Sequence, residues 1–189
     1  MDRFIEDIFF EEHIRGWRLV FRSTWGLFNP RAVDEGSRLL ISQLDVAVDD
    51  NSIDIGCGYG AIGLALACMC PQGEVHMVDK DFVAIEYSKK NIQANELINC
   101  HAYLSNGFSK VPQISFDNVV SNLPAKAGNE MLSIIISDAC RYLRSGGTLW
   151  VVTHSGLKAY IKRVFLEIFG NYKKMKQGRT HTVARAIKT

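Results

Sequence analysis

Proline is scarce in this chain, four in 189 residues, and none of the four opens a linker. There is no low-complexity segment, no internal repeat and no composition break, so nothing suggests a string of domains. No apolar run approaches the ~20 residues of a membrane span. The start, Met1-Asp2-Arg3-Phe4-Ile5-Glu6-Asp7, is acidic where a secretory leader would be basic. A cytoplasmic protein without a membrane partner is the expectation. The five cysteines are odd in number and lack paired spacing, and Cys68-x-Cys70 is too close for a zinc knuckle. The five histidines are scattered. Neither a disulfide framework nor a metal site is expected. Thr153-His154-Ser155 has no acid partner in reach of sequence reasoning, which removes the argument for a hydrolase triad.

Strand-like and helix-like segments alternate. Helices are expected near 33–44, 60–70, 81–95, 126–143 and 156–169. Strands are expected near 51–55, 74–79, 99–104, 116–121, 147–153, 171–177 and 180–188. The fifth helix shows its face plainly: Leu157, Tyr160, Ile161, Val164, Phe165 and Ile168 on one side, Lys158, Lys162 and Arg163 opposite. Such alternation predicts a mostly parallel sheet. Gly178-Arg179 would join its last two strands as an antiparallel hairpin. An N-terminal extension, 1–30, would carry a short hairpin running from Trp17 to Ser23 and back through Trp25 towards Phe28, ahead of a domain over 31–189.

Ile53-Asp54-Ile55-Gly56-Cys57-Gly58-Tyr59-Gly60 reads as a buried strand entering a glycine loop. The apolar run Ala61 to Met69 then opens a helix, whose first N–H groups are free for a ligand. Gly56, Gly58 and Ala61 fit the loose dinucleotide pattern, while Gly56, Gly58 and Gly60 give a tighter G-x-G-x-G. Asp54 separates the two readings. A carboxylate there repels a pyrophosphate and suits a cofactor with an ammonium group, so S-adenosylmethionine is preferred to NAD. Cys57 inside the loop reads as packing. Asp79 ends the next strand, where an acid accepts from ribose hydroxyls or else caps the helix starting near Asp81. Asn106 follows a third strand and faces an adenine edge or forms an ordinary Asn-Gly turn.

Ser121-Asn122-Leu123-Pro124 leaves the strand Phe116 to Val120 at the edge where open α/β sheets bind ligands. The lone pair of a base's exocyclic amine is delocalised. The Asn122 oxygen and a backbone carbonyl would accept its two N–H bonds, aim the nitrogen at a methyl group and stabilise the developing positive charge. Pro124 stiffens the loop. No strong base is needed, because a sulfonium donor is already activated.

With these residues in view, the chain resembles class I S-adenosylmethionine-dependent methyltransferases of the methyltransferase small domain family, which includes 16S ribosomal RNA guanine-N2 methyltransferases and short stand-alone relatives. The resemblance runs from about Trp17 to the end. It adds the segment Gly26-Leu27-Phe28-Asn29-Pro30-Arg31-Ala32-Val33-Asp34-Glu35-Gly36-Ser37-Arg38-Leu39-Leu40, similar to the family's G-x-F-S-x-x-x-x-D-x-G-[ST]-x-L-L. The implied fold is Rossmann-like α/β with a mostly parallel seven-stranded sheet, a C-terminal antiparallel hairpin and helices on both faces. The implied donor residues are Gly36, Ser37, Asp54, Gly56, Gly58, Gly60, Asp79 and Asn106. Asn122 and Pro124 match the N-P-P-x catalytic loop, and Leu123, Ala125 and Lys126 would meet the substrate. Three positions depart from the family. Leu123 replaces the first proline, implying a less rigid loop. Asn29 replaces a serine. Ala125 stands where many members carry a ring that stacks on the base; Trp25, Phe28 and Phe108 are the nearby candidates to replace it, each more readily read as core packing or a loop anchor than as a stacking ring.

Net charge is only +2, yet nine of the 22 basic residues and one of the 20 acidic ones lie from Leu157 onward. Lys173, Lys174, Lys176, Arg179, Arg185 and Lys188 would contact RNA phosphates or form a solvated face. Arg15, Arg18, Arg22 and Arg31 make a second group. The resemblance implies methyl transfer to a base in RNA, guanine N2 of ribosomal RNA by preference. Recognition would fall to the basic faces, the N-terminal piece or a second copy in a homodimer. A protein amide or small-molecule acceptor, and a non-catalytic RNA-binding role, are the alternatives.

Overall fold

The computed structural model describes residues 7–124 and 127–189. The substrate-side positions Ala125 and Lys126 lie outside the described residues. The chain begins with strands Ile8–Ile14 (β1) and Trp17–Ser23 (β2), paired antiparallel from Ile14↔Trp17 to Ile8↔Ser23. The hairpin expected between Trp17 and Phe28 therefore lies one strand earlier. Its turn is Arg15-Gly16, with φ of 50° and 93°. Two positive φ values are what the tightest hairpin loops require, and arginine in the first position hides the usual Asn-Gly signal.

Among the described residues five α-helices follow: Glu35–Gln43 (α1), Ala61–Met69 (α2), Phe82–Ala94 (α3), Asn129–Tyr142 (α4) and Lys158–Phe169 (α5). They alternate with Ser52–Ile55 (β3), Val75–Asp79 (β4), Cys100–Leu104 (β5), Phe116–Asn122 (β6), Leu143–His154 (β7), Lys173–Gln177 (β8) and His181–Ile187 (β9). The seven strands form one sheet in the order β5-β4-β3-β6-β7-β9-β8. The first five are parallel, while β9 runs antiparallel to β7 and β8. This is the α/β arrangement expected from the sequence.

Side chains alternate across the strands and divide the core. Val120, Trp150 and Val152 face a cluster with Leu40 of α1, Leu64 and Leu66 of α2 and Ile85 of α3. Val119, Leu149 and Val151 face Leu132 and Ile136 of α4 and Val164 and Phe165 of α5. Strands buried on both faces read as near-continuous apolar runs, which is why β3, β6 and β7 stand out in the sequence. The chain runs outward from β3 through β4 to β5, then returns to β3's other side as β6. The strand order reverses there, and a crevice opens between the C-terminal ends of β3 and β6. Among the described residues no helix is long and apolar enough to cross a membrane.

Candidate active site

The glycine loop leaves β3 at one wall of this crevice. Gly56, Gly58 and Gly60 have φ of 75°, 58° and 99°. A β-carbon at Gly56 or Gly58 would stand in open space, whereas at Gly60 it would lie 2.4 Å from Met77 Cε. The first two glycines thus leave room for something outside the chain, and the third allows α2 to pack on β4. Asp54 is fully buried, and its Oδ2 accepts the Gly63 N–H at 3.0 Å, one of the free donors in the first turn of α2. Its Oδ1 is buried without a partner among the described residues. Burial pushes the Asp54 carboxyl up to about 7, against the Gly63 bond, with the Asp79 charge adding to the rise. The helix N-terminus is thus occupied by a carboxyl that ionises only near neutral pH, and a cation beside Oδ1 would favour its ionised form, whereas a further anion would not. Cys57 is buried with Sγ 3.6 Å from Ser88 Oγ, and desolvation raises its thiol well above the usual range. It packs and does not react.

Asp79 ends β4. Its Oδ2 accepts the Gly58 N–H and its Oδ1 the Asp81 N–H, both at 3.0 Å. The cap of α3 is Asp81, which accepts from Val83 N at 2.8 Å. Asp79 fastens the glycine loop instead, with lone pairs to spare. Asn106 is exposed in a turn where its carbonyl accepts from Ser109 and Gly107 has φ 55°. Sequence reasoning missed two exposed apolar side chains at this edge, Phe82 (65% exposed) and Leu104 (48%). Their signal was weak: an apolar residue just after Asp79-Lys80-Asp81, and one ending a strand.

Asn122 stands at the end of β6, on the other wall. Its Nδ2 donates to Asp34 Oδ1 at 3.1 Å and to Ser37 Oγ at 3.0 Å. Facing a carboxylate, an amide must present its nitrogen, and the Asn122 carbonyl oxygen is left without a partner among the described residues. Asp34 Oδ1 also accepts the Ser37 N–H at 3.1 Å as the N-cap of α1. One carboxylate thus starts α1 and sets the Asn122 amide. Asp34 was not singled out from sequence, although it is the acid of the D-x-G-[ST] segment. Ser37 touches Asn122 directly. Gly36 lets His181 approach: a β-carbon there would lie 3.0 Å from both Asp34 Oδ1 and His181 Cδ2.

Leu123 is 2% exposed in the α4–α5 side of the core, and its N–H donates to Val152 O at 3.0 Å. A proline could not make that bond. The loop is therefore pinned at this residue rather than loosened, and only Leu123's backbone remains for a substrate. Pro124 follows, its carbonyl accepting from Ala127 N at 3.2 Å.

The hairpin covers the glycine loop. Phe10 and Phe21 stack at 5.1 Å, and each meets the Tyr59 ring edge-on at 5.8 Å. The Tyr59 hydroxyl donates to Ala32 O at 2.9 Å and Asn29 O at 3.4 Å, tying the glycine loop to the segment before Asp34. From α3, the Asn91 and Asn95 amides pair with the backbone of Arg22 and Val20 as a neighbouring strand would.

The structure sorts the three aromatics near the site. Phe108 is buried and stacked on Tyr142 at 4.6 Å, whereas Trp25 and Phe28 are exposed. It sorts the cations too. Arg15 caps the C-terminus of α1 at Ile41 O and Leu44 O, and Arg18 pairs with Glu11. Arg185 lies against Trp150 with a buried Nε, and Lys188 donates to Leu143 O. Lys173, Lys174, Lys176 and Arg179 are exposed. Three of these lysines lie on edge strand β8, where charge also deters pairing with another chain. Among the described residues no cluster of three or more His, Cys, Asp or Glu could hold a metal.

The methyltransferase small domain profile matches residues 18–185. The chain is 36% identical over 141 residues to the uncharacterized protein YbxB of Bacillus subtilis (strain 168), covering 74% of this chain and 70% of that one. It is 31% identical over 165 residues to ribosomal RNA small subunit methyltransferase C of Hamiltonella defensa, covering 85% of this chain and 48% of that one. Among solved structures, the T. thermophilus 16S rRNA N2 guanine methyltransferase RsmC, in complex with AdoMet and guanosine, superposes with a TM-score of 0.88 at 28% identity, covering 97% of this chain and 51% of that chain. The chain thus spans about half the length of the ribosomal RNA methyltransferases it matches.

Proposed function

This chain belongs to the methyltransferase small domain family, and we propose that it transfers a methyl group from S-adenosylmethionine to the exocyclic amine of a base in RNA, guanine N2 of ribosomal RNA by preference, in the cytoplasm. The observation that carries this reading is the Asn122 amide, held nitrogen-inward by Asp34 and Ser37 so that its oxygen alone is left to accept.

The chain fits the donor. Open space over Gly56 and Gly58 would admit it against bare backbone, and the unpartnered Asp54 Oδ1 suits an ammonium group. Asp79 would take the ribose hydroxyls, with Asn106, Phe82 and Leu104 on the adenine side. When bound, S-adenosylmethionine supplies a methyl group already activated by its sulfonium. Asn122 then has one task, to accept an N–H of the amine so that its lone pair points at the methyl carbon and the positive charge growing on nitrogen is stabilised. Gly36 and Ser37 support the site from α1, Ser37 by holding Asn122. The backbone from Leu123 to Pro124, with Ala125 and Lys126 beyond, would border the base and its phosphate.

The test is transfer of tritiated methyl from S-adenosylmethionine to undermodified ribosomal subunits and to bulk tRNA, with Asn122→Ala as control. Label in RNA that the mutant loses, found in N2-methylguanosine, is the expected result. Absence of label from every RNA, with cofactor binding intact, would overturn the RNA acceptor.

A further inference from the structure

We infer that Trp25, backed by Arg31 and accompanied by Phe28, is a platform on which single-stranded RNA stacks a base next to the one being methylated; the inference rests on the RNA methyltransferase reading above. Large rings normally go inside, yet Trp25 is 56% exposed and Phe28 72%. Their loop is built and not slack. Leu27, between the two rings, and Val33, beyond them, are buried. Leu27 N–H donates to Thr24 O at 3.3 Å, Ala32 N–H to Asn29 O at 3.4 Å, and the Tyr59 hydroxyl ties Ala32 to the glycine loop. The loop's own anchors therefore hold two rings outward.

The Arg31 guanidinium lies over Trp25, 4.7 Å from the ring centroid. Arg31 has no carboxylate partner among the described residues, so its charge stays available to a phosphate while the indole keeps open surface for a base. The same pairing recurs on the adjoining hairpin, where Arg22 lies 5.3 Å over the exposed Phe9. Rings interleaved with cations that have no carboxylate ion-pair partner among the described residues are what a single strand requires, a stacking face for bases and charge for the backbone.

Position completes the argument. Arg31 is three residues before Asp34, so at most about 11 Å of extended chain separates their α-carbons. Asp34 holds Asn122. The platform thus flanks the acceptor amide, and it supplies the rings that the Ala125 methyl group cannot.

The test uses the full chain, a guanine-containing single-stranded RNA 12-mer and intrinsic fluorescence. Trp25→Ala should weaken RNA binding by about 5- to 150-fold, the range for loss of one stacked base, with S-adenosylmethionine affinity unchanged. Trp25→Phe should keep most of the affinity but lose the quenching that a stacked base imposes on indole, since Trp17 and Trp150 remain. Arg31→Gln should lower the slope of log affinity against log salt by about 0.7, whereas Trp25→Phe should not. Unchanged binding in Trp25→Ala, full quenching in Trp25→Phe, or failure of the wild type to bind the 12-mer would each overturn the platform. The tritium assay on ribosomal subunits then decides separately whether the methyl-transfer reading stands.

Discussion

Replacing Asp34 by alanine separates its two duties. Its Oδ1 accepts the Ser37 N–H and Asn122 Nδ2, each at 3.1 Å. Loss of an N-cap costs about 0.5–2 kcal/mol, and loss of a hydrogen bond to a charged group about 1.5–3 kcal/mol. Because one oxygen serves both, the combined cost is about 2–4 kcal/mol. In a chain of this size each kcal/mol lowers Tm by about 2–4 °C, so a fall of about 4–16 °C is expected. Asp34→Asn keeps a good cap and should stay within about 1 kcal/mol of wild type. Turnover is the sharper readout. With only Ser37 left to hold it, the Asn122 amide can swing, and misplacement of this kind costs about 10²-fold in kcat, with KM for S-adenosylmethionine unchanged. Asn122→Ala should cost about 10²–10³-fold. If Asp34 acts through Asn122, the double variant is no slower than Asn122→Ala alone. Single-turnover methyl transfer measures all three. Penalties that multiply in the double variant would refute the coupling.

Three more outcomes follow from particular contacts. Asp54 holds its proton up to about pH 7 in the folded chain but only to about 4 when unfolded, so the folded state binds the extra proton and stability falls as pH rises between these values, by up to about 4 kcal/mol. Asp54→Asn should remove that decline in denaturation curves at pH 5 and 8 while weakening S-adenosylmethionine binding; parallel curves would show the carboxyl is not titrating. Gly63→Ala puts a β-carbon 2.4 Å from Met77 Cγ and should cost about 1–3 kcal/mol by overpacking, with Met77→Ala in the same chain recovering part of the loss in urea titrations. Asn91→Ala removes the bonds to Arg22 N, Arg22 O and Tyr59 O, and hydrogen exchange in the hairpin and glycine loop should accelerate together while β6 and β7 keep their protection.

The parallel core was legible because strands buried on both faces and amphipathic helices announce themselves by composition and period. The glycine loop was legible because Gly56, Gly58 and Gly60 need conformations that other residues resist. The hairpin was misplaced because Arg15-Gly16 is an unusual spelling of its turn, and because Phe9 and Phe10 blur the alternation that would mark β1. The effect of Leu123 was misjudged because a missing proline says nothing about the hydrogen bond an N–H can make in its place. The Asp34–Asn122 link was out of reach, since neither residue's surroundings in sequence contain the other. The difference between Phe108 and Trp25 was equally hidden, because burial belongs to the fold and not to the residue type.

The two sides of the crevice differ in how much chain each must gather. The bond from Tyr59 to Ala32 closes 27 residues, while the one from Asn122 to Asp34 closes 88. Loop-closure entropy makes the longer link costlier by about 1 kcal/mol. A chain emerging from synthesis can complete the hairpin, the glycine loop and α3 while β6 is still to come. The glycine-loop wall is thus assembled early and locally, and the Asn122 wall is completed only when β6 pairs with β3, so a chain stopped short of β6 would hold one side of the crevice without the other.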